Sequence, residues 1–411
     1  MRVVTGISGH AGLRFREIAF RRLPLAAMAG AALAGAMGGP HWSAALGPLP
    51  WVVALGCVGL PHGAADFAVS HRVWQGWPLA IVWLAYMAVM AAVLAGFAVA
   101  TMPMIVAFAA FSCWHFGTAH LDTAIASCSD GRVPQSAPRM VAALARGCLV
   151  LAMPLAAWPA ATAAVAADLA ALSVGRGPAA DLFPPAAVRV AGLGMAAVSM
   201  AAAAAEGLVA IRRPRSRRAW LKGLGELAVI ASLGWWTDPL FFVGFYFLVW
   251  HGWRQMEPLA VSLTGARPRS WAALGRAAVR IHLAALPLLV PVWVAIGAAW
   301  WLWSADHTLR ALTTVSIAAY LVVTPAHELL GTLMRQMAGQ RLQPAAVHLP
   351  HRTGPAAFLR LRLPRGRTTT RPLDAARFTR VPVPRADRSR PVRRRRPLAP
   401  RRRSGTTHRR G

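Results

Sequence analysis

Charge is scarce in this chain. Of its 411 residues 14% are charged and 56% hydrophobic, and the mean hydropathy is +0.45. A soluble chain of this length would form two or three domains, but that balance points to hydrocarbon as the solvent. Carboxylates are scarcest of all, with 14 Asp and Glu. Cysteine is nearly absent too. Cys57, Cys113, Cys128 and Cys148 show no CxxC or other metal-ligand spacing, so they read as small buried residues, which argues against a structural zinc or iron–sulfur site. No internal repeat is apparent.

Positive charge is the exception, at a formal net +31. It is unevenly spread, because the tail from Arg352 to Gly411 holds about 20 Arg against 2 Asp and has little apolar periodicity. Three parts follow: a basic N-terminal segment 1–22, a transmembrane helical domain 23–335 and an Arg/Pro-rich tail 336–411, expected to be disordered. An Arg-rich tail suits contact with anionic lipid, and no specific nucleic acid is expected. Leu23–Met37 after the basic segment has the outline of a signal peptide. With another span almost at once behind it, it reads as a retained signal-anchor helix.

Apolar runs long enough, or nearly so, to cross about 30 Å of hydrocarbon lie at 23–39, 44–60, 79–100, 102–121, 141–163, 187–211, 282–303 and 309–333. Region 224–256 is too long for one ordinary span and is broken at Thr237-Asp238-Pro239. A single crossing there would put Arg254, Arg267, Arg269, Arg276 and Arg280 on the opposite side from the basic cluster 212–222. Two short helices turning at Asp238-Pro239 keep them together, with the tail. The expectation is an all-α, polytopic transmembrane helical bundle of about 8–10 membrane helices, multi-pass in the plasma membrane, with the C-terminal tail cytoplasmic. The stretch 160–186 reads as a helix end plus an outer loop.

That topology brings His62 (GLPHGAAD), His115 (SCWHFG) and His251 (VGFYFLVWHGWRQ) to one membrane level, each beside a Gly. His327, in TPAHELL, lies where it could join them. A polar ring in hydrocarbon costs free energy until its nitrogens are satisfied, so three at one depth point to a shared metal. Imidazole suits Fe, Zn, Cu and Ni. A bis-histidine haem b with two of the four as axial ligands stays open. Asp66 lies four residues after His62, on the same helical face, and could accept the second ring N–H of a ligating histidine. His120 and Asp122 read as interfacial polar residues.

GLPHGAAD, FSCWHFG and FYFLVWHGWRQ, in this order and these membrane contexts, resemble the motifs of the Brp/Blh family of membrane β-carotene 15,15′-dioxygenases over approximately residues 45–335. The resemblance implies an all-helical membrane enzyme with a histidine-ligated non-haem Fe(II). Such an enzyme uses O2 to split β-carotene, or a related carotenoid, at its central double bond into two retinal molecules. His62, His115 and His251 correspond to the family's iron ligands. The chain departs from the pattern at two positions. The third motif usually carries a second His one turn on, where this chain has Gln255, and the first commonly ends in His after the Asp, where it has Phe67. The implied metal set is therefore three histidines with Gln255 or His327 as the fourth. The alternative is a catalytically silent carotenoid- or metal-binding membrane protein. A bilayer-dissolved substrate would enter by a lateral opening between helices. Trp114, Phe116, Tyr246 and Trp250 are the expected tunnel lining, with Phe245, Phe247 and Trp253 beside them.

Overall fold

The computed structural model describes residues 12–127, 139–174, 182–212, 214–304 and 306–342. No strand occurs among them. Besides the short helix His41–Leu46, the helices are α1 (Gly12–Gly38), α2 (Leu49–Val73), α3 (Trp77–Val99), α4 (Thr101–Ser127), α5 (Arg139–Ala157), α6 (Pro159–Val174), α7 (Pro185–Ala210), α8 (Pro214–Trp236), α9 (239–264), α10 (Trp271–Trp303) and α11 (Leu309–Leu342). All but α6, α8 and α9 contain a segment long and apolar enough to cross a membrane, 8 in all. An uncharged run in hydrocarbon must satisfy every backbone N–H and C=O within itself, which leaves helix as the conformation. Side chains such as Ile81, Leu84 and Leu94 on α3 and Val279, Leu283 and Val294 on α10 stand exposed on the outside of the bundle. Water would penalise such apolar faces, and lipid does not. The chain is a multi-pass, all-α membrane protein.

The turn inside 224–256 is present. Asp238 caps α9 by accepting from Leu240 N–H at 2.9 Å and Phe241 N–H at 3.2 Å, and its own N–H donates to Ser43 Oγ at 2.9 Å. Neither arm is short, however, since α8 begins at Pro214 and α9 ends at Thr264. Counting apolar residues ends a segment at its first charges, whereas Arg, Lys, Gln and Glu are good helix formers that prolong it.

In the stretch 160–186, residues up to Val174 belong to α6, a helix separate from α5 rather than its end, and the expected loop falls mostly at 175–181, outside the described residues. Ala163 and Ala170 pack with Phe183 in one buried cluster, and Leu169 packs with Phe97 and Leu321 in another. Asp168 pairs with Arg310 at 2.8 Å, and Thr101 and Ser173 share a hydrogen bond of 2.5 Å. Alanine has the highest helix propensity and the smallest side chain that still has a Cβ, so a stretch that looks like a plain connection forms a close-packed helix.

The basic N-terminal segment enters the bundle. From Gly12 onward it is the start of α1, where Arg16 pairs with Glu257 and Arg21 with Glu226 at 2.6 Å. Those carboxylates make burial of a guanidinium tolerable. Residues 1–11, Cys128 and the tail beyond Leu342 lie outside the described residues. Cys113 and Cys148 are buried and Cys57 is exposed, all three as free thiols. The largest buried cluster gathers Met28 from α1, Val150 from α5, Ile230 and Leu233 from α8, and Phe242, Tyr246 and Trp250 from α9. It fixes α9 beside the candidate site.

Candidate metal centre

Two local departures from α-helix aim histidines inward. In α2 the backbone breaks at Val58 (φ −140°, ψ −33°), and a new segment, Gly59–Ala64, carries GLPHGA. Pro61 costs little there, because residues in the first turn of a helix have no intrahelical use for an N–H. His62 lies on this segment at 7% exposure. In α9, Tyr246–Gly252 winds as π-helix, a wider turn that is frequent at functional sites. It holds His251 at 4% exposure, with its ring stacked on Phe247 at 5.2 Å. His115 comes from α4 and His327 from α11.

These four imidazoles close a ring. Their centroids are 5.5 Å apart for His62–His251, 5.0 Å for His251–His115, 5.8 Å for His115–His327 and 5.2 Å for His327–His62. In three of them Nδ1 faces an acceptor. His62 donates to the Val58 carbonyl at 3.2 Å, His115 to Glu328 Oε2 at 3.0 Å and His327 to Asp66 Oδ2 at 2.5 Å. An acceptor at Nδ1 places the proton there and makes Nε2 the lone-pair nitrogen, the tautomer that ligates metals. The fourth, His251, has its Nε2 buried with no hydrogen-bond partner.

Among the described residues, no group of three or more His, Cys, Asp or Glu has the geometry to hold a metal ion as it stands. A metal–nitrogen distance of about 2.1 Å puts an imidazole centre about 3.2 Å from an ion, and two rings at a tetrahedral angle then lie about 5.3 Å apart, close to the separations of the four adjacent pairs. The orphaned Nε2 of His251 and the carboxylate-held tautomers of His115 and His327 are the arrangement that a metal would complete.

The sequence-derived residues come together unevenly. His62, His115, His251 and His327 share the ring. Asp66 bonds His327 and not His62, which lies on its own helix. Gln255 lines the polar cavity beside the ring with Asp66, Glu328 and all four histidines. Glu328 was missed, although an intramembrane carboxylate next to His327 was a readable signal. His120 is not an open polar residue: it is 5% exposed, bonds Glu226 at 2.9 Å and accepts from Trp250 Nε1 at 3.4 Å. Asp122 does sit in a half-exposed pair, with Arg139 at 2.5 Å.

The ring separates two cavities. On one side is an apolar space of about 280 Å³ touching His62, His115 and His327, with Phe108, Phe116, Phe247 and Tyr320 in its wall. On the other is the polar space of about 360 Å³ that also holds Thr118, Thr123 and Ser262. Of the expected tunnel aromatics, Phe116 and Phe247 line the apolar cavity, and Trp114, Tyr246 and Trp250 do not. Trp114 points outward at 38% exposure. Tyr246 and Trp250, one turn apart, face the buried core, where Trp250 also carries the Arg254 guanidinium 4.2 Å from its ring centre. The apolar wall reaches the outside at Met87 of α3, 55% exposed, and at the exposed Pro291 of α10. Between these two exposed side chains the cavity wall faces the outside of the bundle.

Fold and site together define a multi-pass helical membrane protein with a buried histidine cluster between an apolar and a polar chamber. A family model described as Beta-carotene 15,15'-dioxygenase matches residues 53–335. The chain belongs to that family. A protein of Halobacterium salinarum named "Probable beta-carotene 15,15'-dioxygenase Blh" is 28% identical over 299 residues, covering 71% of this chain and 85% of that protein. No solved structure matches.

Proposed function

We propose that this protein is a membrane dioxygenase that cleaves β-carotene or a related carotenoid with O2 at the central double bond, giving retinal, and that His62, His115, His251 and His327 hold its Fe(II). The observation that carries the reading is the closed four-histidine ring, with the Nε2 of His251 unpartnered, at the wall of an apolar cavity. Bound there, Fe(II) would supply the activation of O2 that a closed-shell polyene needs. Family membership and the name of the Halobacterium salinarum relative support the substrate class.

The chain itself does four things. Asp66 and Glu328 fix the tautomer and orientation of His327 and His115 and offset the charge of a cation. The aromatic wall of Phe108, Phe116 and Phe247 holds the polyene so that one double bond meets the ring. The apolar chamber keeps bulk water from the reacting carbons. The opening between Met87 and Pro291 admits a substrate dissolved in the bilayer. The protein belongs in this reading to the plasma membrane, and the positive-inside rule puts its tail on the cytoplasmic side, where an Arg-rich segment suits anionic lipid.

Metal analysis with a visible spectrum tests the cofactor. The expected result is about one iron per chain, as one ring of imidazoles implies, with no haem absorption. Iron accompanied by a haem band would replace this reading with the bis-histidine haem b, and carotenoid bound without iron would leave the catalytically silent binder.

A further inference from the structure

Two buried hydrogen-bond donors in the apolar cavity wall have nothing to bond. Trp51 Nε1 and Tyr320 Oη are both buried without a partner, and both side chains line the cavity. Trp51 is 7% exposed. The two rings meet edge to face at 5.4 Å, and each packs on Phe247, Trp51 at 5.6 Å and Tyr320 at 5.1 Å. Around them the wall is hydrocarbon, including Leu60, Leu289 and Val292. Buried Tyr and Trp usually find a partner for the O–H or N–H. A wall that had only to pack would carry Phe at both places, as it does at Phe247.

Their placement says where on a polyene the missing acceptor lies. A Cβ at Gly59 would stand 2.5 Å from Tyr320 Oη and 2.3 Å from Phe247 Cε1. The hydroxyl therefore lies against α2 about one helical turn before His62. Phe247, in contact with both donor rings, stacks on His251. One ring, Phe247, therefore links both donor rings to His251.

We propose that Tyr320 and Trp51 are specificity-determining donors for a carbonyl oxygen on a conjugated polyene next to the cut, the oxygen of the nascent aldehyde. The inference rests on the carotenoid-cleaving reading above. A hydrocarbon polyene offers the two donors no acceptor. The acceptor appears as the C=O forms, so these bonds favour the product side of the reaction over the bound substrate. Gly59 belongs to the same device, because any larger residue would fill the space that Tyr320 Oη and Phe247 occupy.

Anaerobic binding to the full-length protein in lipid nanodiscs tests this without turnover. The probes are all-trans-retinal, β-carotene and a carotenoid with its ketone on an end ring, with iron content as the check that each variant folds. Tyr320→Phe should weaken retinal binding by about tenfold, as loss of one hydrogen bond does, and leave β-carotene unchanged. Trp51→Phe should do the same to a smaller degree, and the end-ring ketone should follow β-carotene. Unchanged retinal binding, or equal losses for retinal and β-carotene, would overturn the proposal while the carotenoid reading stands. A loss confined to the end-ring ketone would overturn the placement of the oxygen at the cut. If the wild-type protein bound none of the three, that reading would fall and the proposal with it.

Discussion

His251→Ala should strip iron from the purified protein, and His62→Ala, His115→Ala and His327→Ala should each do the same. Loss of a partner hydrogen-bonded to a metal ligand costs about 10- to 100-fold in affinity, so loss of a ligand itself should exceed about 100-fold. His251 is the sharpest case, because its buried Nε2 has no other partner. Asp66→Asn and Glu328→Gln should fall in the lower range, since each keeps a hydrogen-bond acceptor near the histidine that it orients. Gln255→Ala should retain the metal, because the four histidines already close the ring. Iron per chain after dialysis, measured by mass spectrometry, decides between them. Iron kept by His327→Ala and lost by Gln255→Ala would assign the fourth position to Gln255.

Gly147→Val should destabilise the whole bundle and empty the site together. A Cβ at Gly147 would lie 1.6 Å from the Cys113 carbonyl oxygen, and one at Gly117 would lie 2.1 Å from that of Ala143. The backbones of α4 and α5 are thus in direct contact, through glycines on both helices. His115 lies between Cys113 and Gly117, so any side chain at Gly147 pushes the helix that carries it away from the ring. Overpacking of this kind costs about 1–3 kcal/mol where neighbours can give way, and here the neighbour is backbone. Thermal unfolding and iron content should therefore fall together. Gly194→Ala is the control, because nothing lies within 4 Å of its added Cβ. It should leave both unchanged.

Much of this fold follows from hydropathy and charge. The eight spans and the turn at Asp238-Pro239 come from run length, the positive-inside rule and one Pro. The full length of α8 and α9 and the separate helix α6 were not visible. Charged residues extend a helix as readily as apolar ones, and α6 is an Ala-rich stretch whose packing depends on partners far along the chain. The histidines were legible because polar rings stand out in apolar runs. The cavity lining was not, because consecutive residues on a helix point about 100° apart. Trp114 is next to His115 in sequence and faces outward, whereas Phe247, four residues before His251, shares its face. Helical spacing from each histidine is a better guide to the wall than adjacency. Glu328 stands out beside His327, but its bond to His115 needed the structure, as did the packing of Tyr320 on Trp51 and Phe247, because those partners lie on other helices.

The most direct test is to express the protein in bacteria that make β-carotene and separate the pigments by chromatography. The expected result is loss of β-carotene with retinal as the product, and neither change in the His251→Ala variant. Intact β-carotene alongside an iron-loaded, folded protein would contradict the account, and apocarotenals of other lengths in place of retinal would contradict the central cut.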